Sequence, residues 1–292
     1  MINLYNPKQV RDLMSAYGVT FRKEFGQNFL MDSTVVEDIA DAAGETHERT
    51  ILEIGPGVGT LTRELAYRYE KVVALEIDRG LIPILSETLA DCSNVQVINE
   101  DVMKADLPTL LKADFERGPV SVCANLPYYI TTPILMKLLE SGLPFDSITV
   151  MVQKEVADRL SAKAKSKDYG AITVALAYYG VAERLFLVPA GKFLPPPKVD
   201  SAVVRIKLFR ESPYRDTNAD LLFRTIKAAF GERRKILANA LSAGFPELDK
   251  AEITACLSSM GLSPTVRGEE LDISLFVSLT SELEKILAKT TK

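Results

Sequence analysis

Two short stretches of this chain carry residue types that could do chemistry, and each lies where an apolar run gives way to polar residues. The first is Leu52-Glu53-Ile54-Gly55-Pro56-Gly57-Val58-Gly59 and the second is Asn125-Leu126-Pro127-Tyr128. Glycines in a strand-to-helix turn let the backbone bend tightly and approach a ligand closely. Alone, such a turn indicates only a nucleotide-like ligand on a parallel sheet. The spacing here, Gly55-x-Gly57-x-Gly59, differs from the Gly-x-Gly-x-x-Gly that seats a pyrophosphate on a helix N-terminus. Glu53, inside the motif, would repel a diphosphate but suits a cationic sulfonium ligand with a free amino group, which points to S-adenosylmethionine.

Further acids fall at successive strand ends. Glu76 closes the next apolar run, about 20 residues past the loop, where a carboxylate can accept both ribose hydroxyls. Glu100-Asp101 follows the third run, where an acid can reach the exocyclic amine of the cofactor's adenine. Any one such carboxylate could simply cap a helix. Acids at successive strand ends, along the edge where open α/β sheets bind ligands, read together with Gly55 and Gly57 as a cofactor pocket.

Asn125-Leu126-Pro127-Tyr128 closes the fourth run. The exocyclic nitrogen of adenine is a poor nucleophile because its lone pair is delocalised into the ring. The Asn125 side-chain oxygen and a backbone carbonyl, at Leu126 or Pro127, form an acceptor pair for its N–H bonds, so that the lone pair faces a methyl donor. Pro127 restricts the backbone and so gives its carbonyls a set direction. Tyr128 offers a stacking face worth roughly 1–3 kcal/mol per base. No strong base is needed, since the product ammonium is acidic. Orientation and electrostatic complementarity would supply most of the acceleration.

These residues require a sheet that places strand ends side by side. Strand-like runs are expected at Ile51–Gly55, Lys71–Ile77, Val95–Asn99, Val120–Asn125 and Ile148–Val152, with helical patterns at Leu61–Tyr69, Leu81–Ala90 and Pro133–Ser141. That alternation implies right-handed crossovers and a parallel sheet with helices on both faces, an α/β fold. Two more strands, Leu185–Val188 and Ala202–Leu208, flank a loop stiffened by Pro195-Pro196-Pro197. After Ser212-Pro213 the chain reads as helix only, over Asp220–Phe230, Arg233–Ala243, Lys250–Met260 and Ile273–Leu287, so a domain boundary is expected near residue 211.

The 292 residues suit one large domain and a smaller one. No apolar run approaches the ~18–20 residues that cross a bilayer, and the N-terminus lacks the pattern of a signal peptide. The three cysteines, Cys92, Cys123 and Cys256, are far apart and fit neither a disulfide framework nor a metal site. The expectation is a cytoplasmic protein without metal. Lone His47 reads as a surface residue and Cys123 as core packing. A net charge of −4 hides segregation. Lys192, Lys198, Arg205, Lys207 and Arg210 face one acid, Asp200, and Arg224, Lys227, Arg233, Arg234 and Lys235 face one, Glu232. Local patches rather than net charge set the field that a polyanion meets.

The tetrapeptide, the Gly55–Gly59 loop and Gly26-Gln27-Asn28-Phe29-Leu30 together resemble the ribosomal RNA adenine N6-dimethyltransferases. These include the KsgA/RsmA enzymes of the small subunit and the Erm enzymes of the large subunit. Val152–Leu160, Phe193–Ser201, Arg233-Arg234-Lys235 and Arg267-Gly268-Glu269 look like the KsgA group, and the resemblance spans roughly residues 20 to 275. It implies a Rossmann-like class I S-adenosylmethionine-dependent methyltransferase domain over 1–211, with an N-terminal helical part and cofactor lid within 1–49. A small all-helical rRNA-binding domain would follow over 212–292.

The same resemblance gives Asn28, Leu30, Gly55, Glu76, Asp101 and Asn125 as cofactor contacts and makes Phe193 a second aromatic beside an extruded base. By residue type alone Phe193 would be core. It implies dimethylation of two adjacent adenosines in the 3′-terminal hairpin loop of 16S rRNA on a late 30S particle, with S-adenosyl-L-homocysteine as product and no obligate protein partner. Lys198, Arg224, Lys227, Arg233, Arg234 and Lys235 are the expected RNA contacts. Erm-like methylation of 23S rRNA and a non-catalytic ribosome assembly factor are the alternatives.

Overall fold

The computed structural model describes residues 2–22, 26–44, 49–232 and 234–290. Its strands are β1 (Phe29–Leu30), β2 (Thr50–Ile54), β3 (Lys71–Glu76), β4 (Val95–Asn99), β5 (Val120–Asn125), β6 (Phe145–Gln153), β7 (Gly180–Val188), β8 (Phe193–Leu194) and β9 (Ser201–Leu208). The helices are α1 (Pro7–Ala16), α2 (Ser33–Ala42), α3 (Thr60–Arg68), α4 (Ile82–Thr88), α5 (Leu107–Leu110), α6 (Lys112–Arg117), α7 (Thr131–Glu140), α8 (Lys154–Leu160), α9 (Ala171–Tyr179), α10 (Ala219–Gly231), α11 (Leu237–Gly244), α12 (Lys250–Ser259) and α13 (Ile273–Thr290).

Seven strands form the main sheet in the order β4-β3-β2-β5-β6-β9-β7. Pairing is parallel from β4 through β6, and β9 then runs antiparallel to β6. The strands at the centre are mostly apolar and buried, as expected where helices cover both faces; β2 is buried at every position, Glu53 included. The order reverses between β2, which continues to β3 on one side, and β5 on the other. Ligands of open α/β sheets bind at such a switch point. The loop after β2 and the tetrapeptide after β5 are therefore neighbours, because β2 and β5 pair in register from Thr50↔Val120 to Ile54↔Ala124.

A separate two-stranded ladder joins segments far apart in the chain, with Phe29 opposite Leu194 and Leu30 opposite Phe193. Alternation along each strand sends these pairs to opposite sides. Leu30 and Phe193 enter an apolar cluster with Ile51, Cys123 and Met151. Phe29 and Leu194 enter another with Val58, Leu81 and Leu85. The proline-rich loop thus contains a strand where none was expected, and its partner is the Gly26–Leu30 segment.

The chain divides into two compact units, one of Met1–Ala157 with Ala182–Arg210, the other of Asp158–Val181 with Glu211–Lys292. A single cut near 211 leaves Asp158–Val181 in the first domain, whereas the structure groups it with the second unit. The reason is packing: Tyr169 and Val174 are buried in one cluster with Leu222, Ile226, Phe245, Phe276 and Leu279, and the Tyr169 hydroxyl donates to the Leu271 carbonyl at 2.8 Å. In the C-terminal part, the helix expected from Arg233 starts instead at Leu237, whose N–H donates to the Val266 carbonyl at 2.7 Å. Arg234 and Lys235 lie in the preceding turn, closed by Lys235 N–H to Glu232 O at 2.9 Å. Arg233 and His47 lie outside the described residues. Among the described residues, no helix is long and apolar enough to cross a membrane.

Candidate active site

A cleft of about 780 Å³, measured with its open mouth, lies over the ends of β2, β3 and β5. Its walls are Gly26–Leu30, the loop from Gly55 to Val58, Glu53, Glu76, Ile77 and the tetrapeptide Asn125–Tyr128. Gly55, Gly57 and Gly59 have φ of +73°, +62° and +89°, a region that side chains avoid. At Gly57 a second constraint applies, since a Cβ would lie 2.9 Å from Cε1 of Phe29. Bare backbone is therefore needed both for the turn and for the Phe29 ring packed beneath it.

Glu53 is 1% exposed, yet it lines the cleft. Burial pushes its carboxyl up to about 8; the nearby Thr62 hydroxyl opposes the rise and the Glu76 charge adds to it. Neither Glu53 Oε2 nor Thr62 Oγ1 makes a hydrogen bond within normal geometry. Both atoms are buried, and a buried carboxyl oxygen without a donor is costly.

Glu76 is held differently. Its Oε1 accepts the Asp78 N–H at 2.8 Å and its Oε2 the Gly57 N–H at 3.2 Å. These bonds tie β3 to the glycine loop and fix the carboxylate's orientation. Burial pushes its pKa up to about 7, against the lowering effect of the backbone donors. Beside it Ile77, 46% exposed, forms a flat apolar patch on the cleft wall. Sequence reasoning missed Ile77; a large apolar residue just past a strand's last acid is the available signal.

On the far wall, the Asn125 side chain donates from Nδ2 to the Asn28 carbonyl at 3.0 Å. That bond decides which way the amide faces, so Oδ1 is left as its free acceptor. Pro127 O accepts both Ile130 N–H at 3.2 Å and Thr131 Oγ1 at 3.1 Å, so its lone pairs serve the start of α7. Leu126 N–H donates to Met151 O at 3.2 Å, pinning the tetrapeptide to β6. Of the two carbonyls left open by the sequence, Leu126 O is the one without a hydrogen bond among the described residues. Tyr128 lines the cleft with its hydroxyl 2.7 Å from Ser201 Oγ. Burial raises its pKa, so it is a neutral phenol with a fixed ring.

The Asn125 and Leu126 acceptors beside an aromatic face suit a planar amine, and the glycine loop with two acids suits a nucleoside carrying a cationic group. A family model for ribosomal RNA adenine dimethylase matches residues 18–285. The chain belongs to that family. Relatives named ribosomal RNA small subunit methyltransferase A are 46% identical in Alkaliphilus metalliredigens, over 97% of this chain and 99% of the relative, and 47% identical in Bacillus mycoides, over 97% and 98%. Among solved structures, a dimethyladenosine transferase from Plasmodium falciparum superposes with TM-score 0.77 at 25% identity, over 88% of this chain and 98% of that one. The 23S rRNA methyltransferase ErmE gives 0.69 at 27%, over 88% and 100%. The fold is the Rossmann-like one of these methyltransferases, with a helical C-terminal region.

Most residues expected to form the dimethylase pocket meet in the cleft: Asn28, Leu30, Glu53, Gly55, Gly57, Glu76 and Asn125–Tyr128 all line it. Two do not. Asp101 lies in the turn after β4, where its Oδ1 accepts the Met103 N–H at 2.9 Å. Phe193, 4% exposed, packs in the core behind Leu30. Among the basic residues, Arg224 is engaged: it pairs with Glu247 at 2.6 Å, donates to the Gly244 carbonyl at 2.8 Å and stacks over Phe245 at 4.1 Å. Lys235 pairs with Glu232 at 2.7 Å, whereas Lys198, Lys227 and Arg234 are exposed. Among the described residues, no group of three or more His, Cys, Asp or Glu side chains could hold a metal ion.

Proposed function

We propose that this member of the family dimethylates N6 of two adjacent adenosines in the 3′-terminal hairpin loop of small-subunit rRNA, on a late 30S particle in the cytoplasm, with S-adenosyl-L-methionine as methyl donor. The observation that carries the chemistry is the oriented Asn125 amide beside the free Leu126 carbonyl. The small-subunit target is supported by relatives that bear that name at 46% and 47% identity, against 27% for the 23S enzyme.

The cleft fits such a cofactor on its own features: an orphaned Glu53 oxygen for a cationic amino group, a bare glycine cradle, Glu76 for ribose hydroxyls and Ile77 for a base face. When bound, S-adenosylmethionine supplies a methyl group already activated by its sulfonium. The protein's task is then orientation. Asn125 Oδ1 and Leu126 O accept the N–H bonds of the target amine, turning its lone pair out of conjugation. Tyr128, immobilised through Ser201, stacks on the extruded base. As positive charge grows on nitrogen, both acceptors stabilise it, and the product sheds its proton to solvent. In a second round one N–H remains, so one acceptor keeps its bond and the other acts by charge alone.

The test is to incubate the protein and labelled cofactor with unmethylated small subunits, large subunits and DNA, then identify modified nucleosides by mass spectrometry. Dimethyladenosine confined to small-subunit RNA is expected; its absence there overturns the assignment, and label on large-subunit RNA favours the Erm-like alternative.

A further inference from the structure

The segment Gly26–Leu30 spans the cleft as a strap, and polar bonds hold it at both walls. On the β3 side, Gln27 Nε2 donates to Asp78 Oδ2 at 2.9 Å, while Gln27 Oε1 accepts the Arg22 N–H at 2.9 Å. The Gln27 amide is thereby fixed end to end, with a carboxylate facing its nitrogen and an N–H facing its oxygen. Asp78 is 1% exposed, and its other oxygen accepts the Gly80 N–H at 3.0 Å and lies 3.4 Å from Arg22 Nη1. Donors therefore surround this carboxylate, and it does not line the cleft. On the β5 side, one residue along the strap, the Asn28 carbonyl receives Asn125 Nδ2 at 3.0 Å. Gly26, with φ +59°, closes the strap's turn against Pro127, where a Cβ would come within 3.2 Å of the proline Cβ.

We propose that Asp78 and Gln27 are positioning residues for methyl transfer: they clamp the strap so that the Asn28 carbonyl holds the Asn125 amide with Oδ1 toward the target amine. This rests on the methyltransferase assignment above. The logic is one of donors and acceptors. If Asn28 O drifts, nothing distinguishes the two orientations of the Asn125 amide, and the wrong one sets an N–H against the N–H of the substrate. Glu76 is two residues before Asp78, so the strand that holds the cofactor's ribose also anchors the base-reading amide.

Asp78→Asn is a sensitive probe because it keeps shape while leaving the network no arrangement that satisfies every donor. If the introduced amide turns its nitrogen to Gln27, two donors meet, and rotating Gln27 only moves the clash to Arg22 N–H. If that amide turns its nitrogen the other way, it meets Gly80 N–H. The full-length protein is assayed in two ways, with Gln27→Leu as a second variant should Asp78→Asn fail to fold. The first readout is the side-chain amide resonance of Asn125 in the free protein. The second is the single-turnover rate on unmethylated small subunits at saturating cofactor.

The expected result is a shift of the Asn125 resonance toward that of a free amide and a rate lower by about 10- to 100-fold. An unmoved Asn125 resonance, or an unchanged rate, overturns the positioning role. If the resonance moves but the wild type methylates no RNA, the clamp stands and the reaction assignment falls.

Discussion

Glu53 offers a demanding test of the cofactor site, because its environment makes opposite demands on stability and on binding. Its carboxyl is raised from 4.5 to about 8, chiefly by burial. For a carboxyl whose folded value is raised, the linked stability is fully present below about 4.5 and is lost as pH rises through about 8. The rise sets an upper bound of about 5 kcal/mol at 1.36 kcal/mol per pH unit. Water entering the open cleft lowers this, so about 2–3 kcal/mol is expected at pH 8. Glu53→Gln removes the ionisation and keeps the shape. It should therefore melt with the wild type at pH 5 and about 5 °C or more above it at pH 8.

Cofactor binding runs the other way. A cationic amino group near Glu53 favours the carboxylate, so binding must expel the proton that the free protein holds. With a free-state value of about 8, Glu53 carries about 0.9 proton at pH 7. Calorimetry of S-adenosylmethionine binding in two buffers of different ionisation enthalpy counts the protons released. The wild type should release about 0.9 more than Glu53→Gln at pH 7. Glu76, raised to about 7, contributes in both proteins. Wild-type affinity should improve by up to about tenfold per pH unit between 6 and 8, and the variant's by less. Equal proton release in the two proteins, or a melting difference that ignores pH, refutes this account of Glu53.

Asn125→Ala removes the oriented acceptor and should lower the single-turnover rate by at least about 10²-fold while leaving rRNA binding in a filter assay nearly intact; equal loss of both makes Asn125 structural. Gly57→Ala places a Cβ 2.9 Å from the Phe29 ring at φ +62°, and should destabilise by about 1–3 kcal/mol in urea titration and weaken cofactor binding. Lys198→Ala and Lys227→Ala, both at exposed positions, should each reduce the slope of log affinity for rRNA against log salt by about 1. Arg224→Ala should leave that slope alone and lower the melting temperature instead, by the equivalent of about 1 kcal/mol, because its guanidinium serves Glu247, Gly244 and Phe245.

What could be read from sequence follows from which signals are local. Val- and Ile-rich runs ending in Gly55, Glu76 and Asn125 mark the strands of a parallel sheet, and the switch point then brings their ends together without further information. The strap was recognisable only by resemblance, because a two-residue strand such as Phe29–Leu30 has no periodicity and its partner, Phe193–Leu194, lies far along the chain and borders a proline run. Asp158–Val181 likewise reads as a continuation of the first domain; only burial of Tyr169 and Val174 with the C-terminal helices reveals its allegiance. The basic residues show the limit most clearly. Arg224 and Lys227 are equal on a charge count, yet Arg224 sits over an aromatic ring with a carboxylate alongside and Lys227 faces solvent.

Carbonyls distribute the work of the catalytic wall. Pro127 O is consumed by the first turn of α7, and Asn28 O by the Asn125 amide. With Leu126 N–H bound to Met151 O, the strand end cannot rotate, and the acceptors this wall leaves for a substrate are Leu126 O and Asn125 Oδ1. A site of acceptors alone can orient an amine and stabilise a cation, but it holds no group to remove a proton before transfer. No side chain of the tetrapeptide titrates near neutrality, and the Tyr128 phenol is pushed further from it by burial. The pH dependence of methyl transfer at subsaturating cofactor should therefore follow Glu53 and Glu76, and vanish once the cofactor saturates. A rate that still rises through neutral pH at saturation would require a base that this wall does not contain.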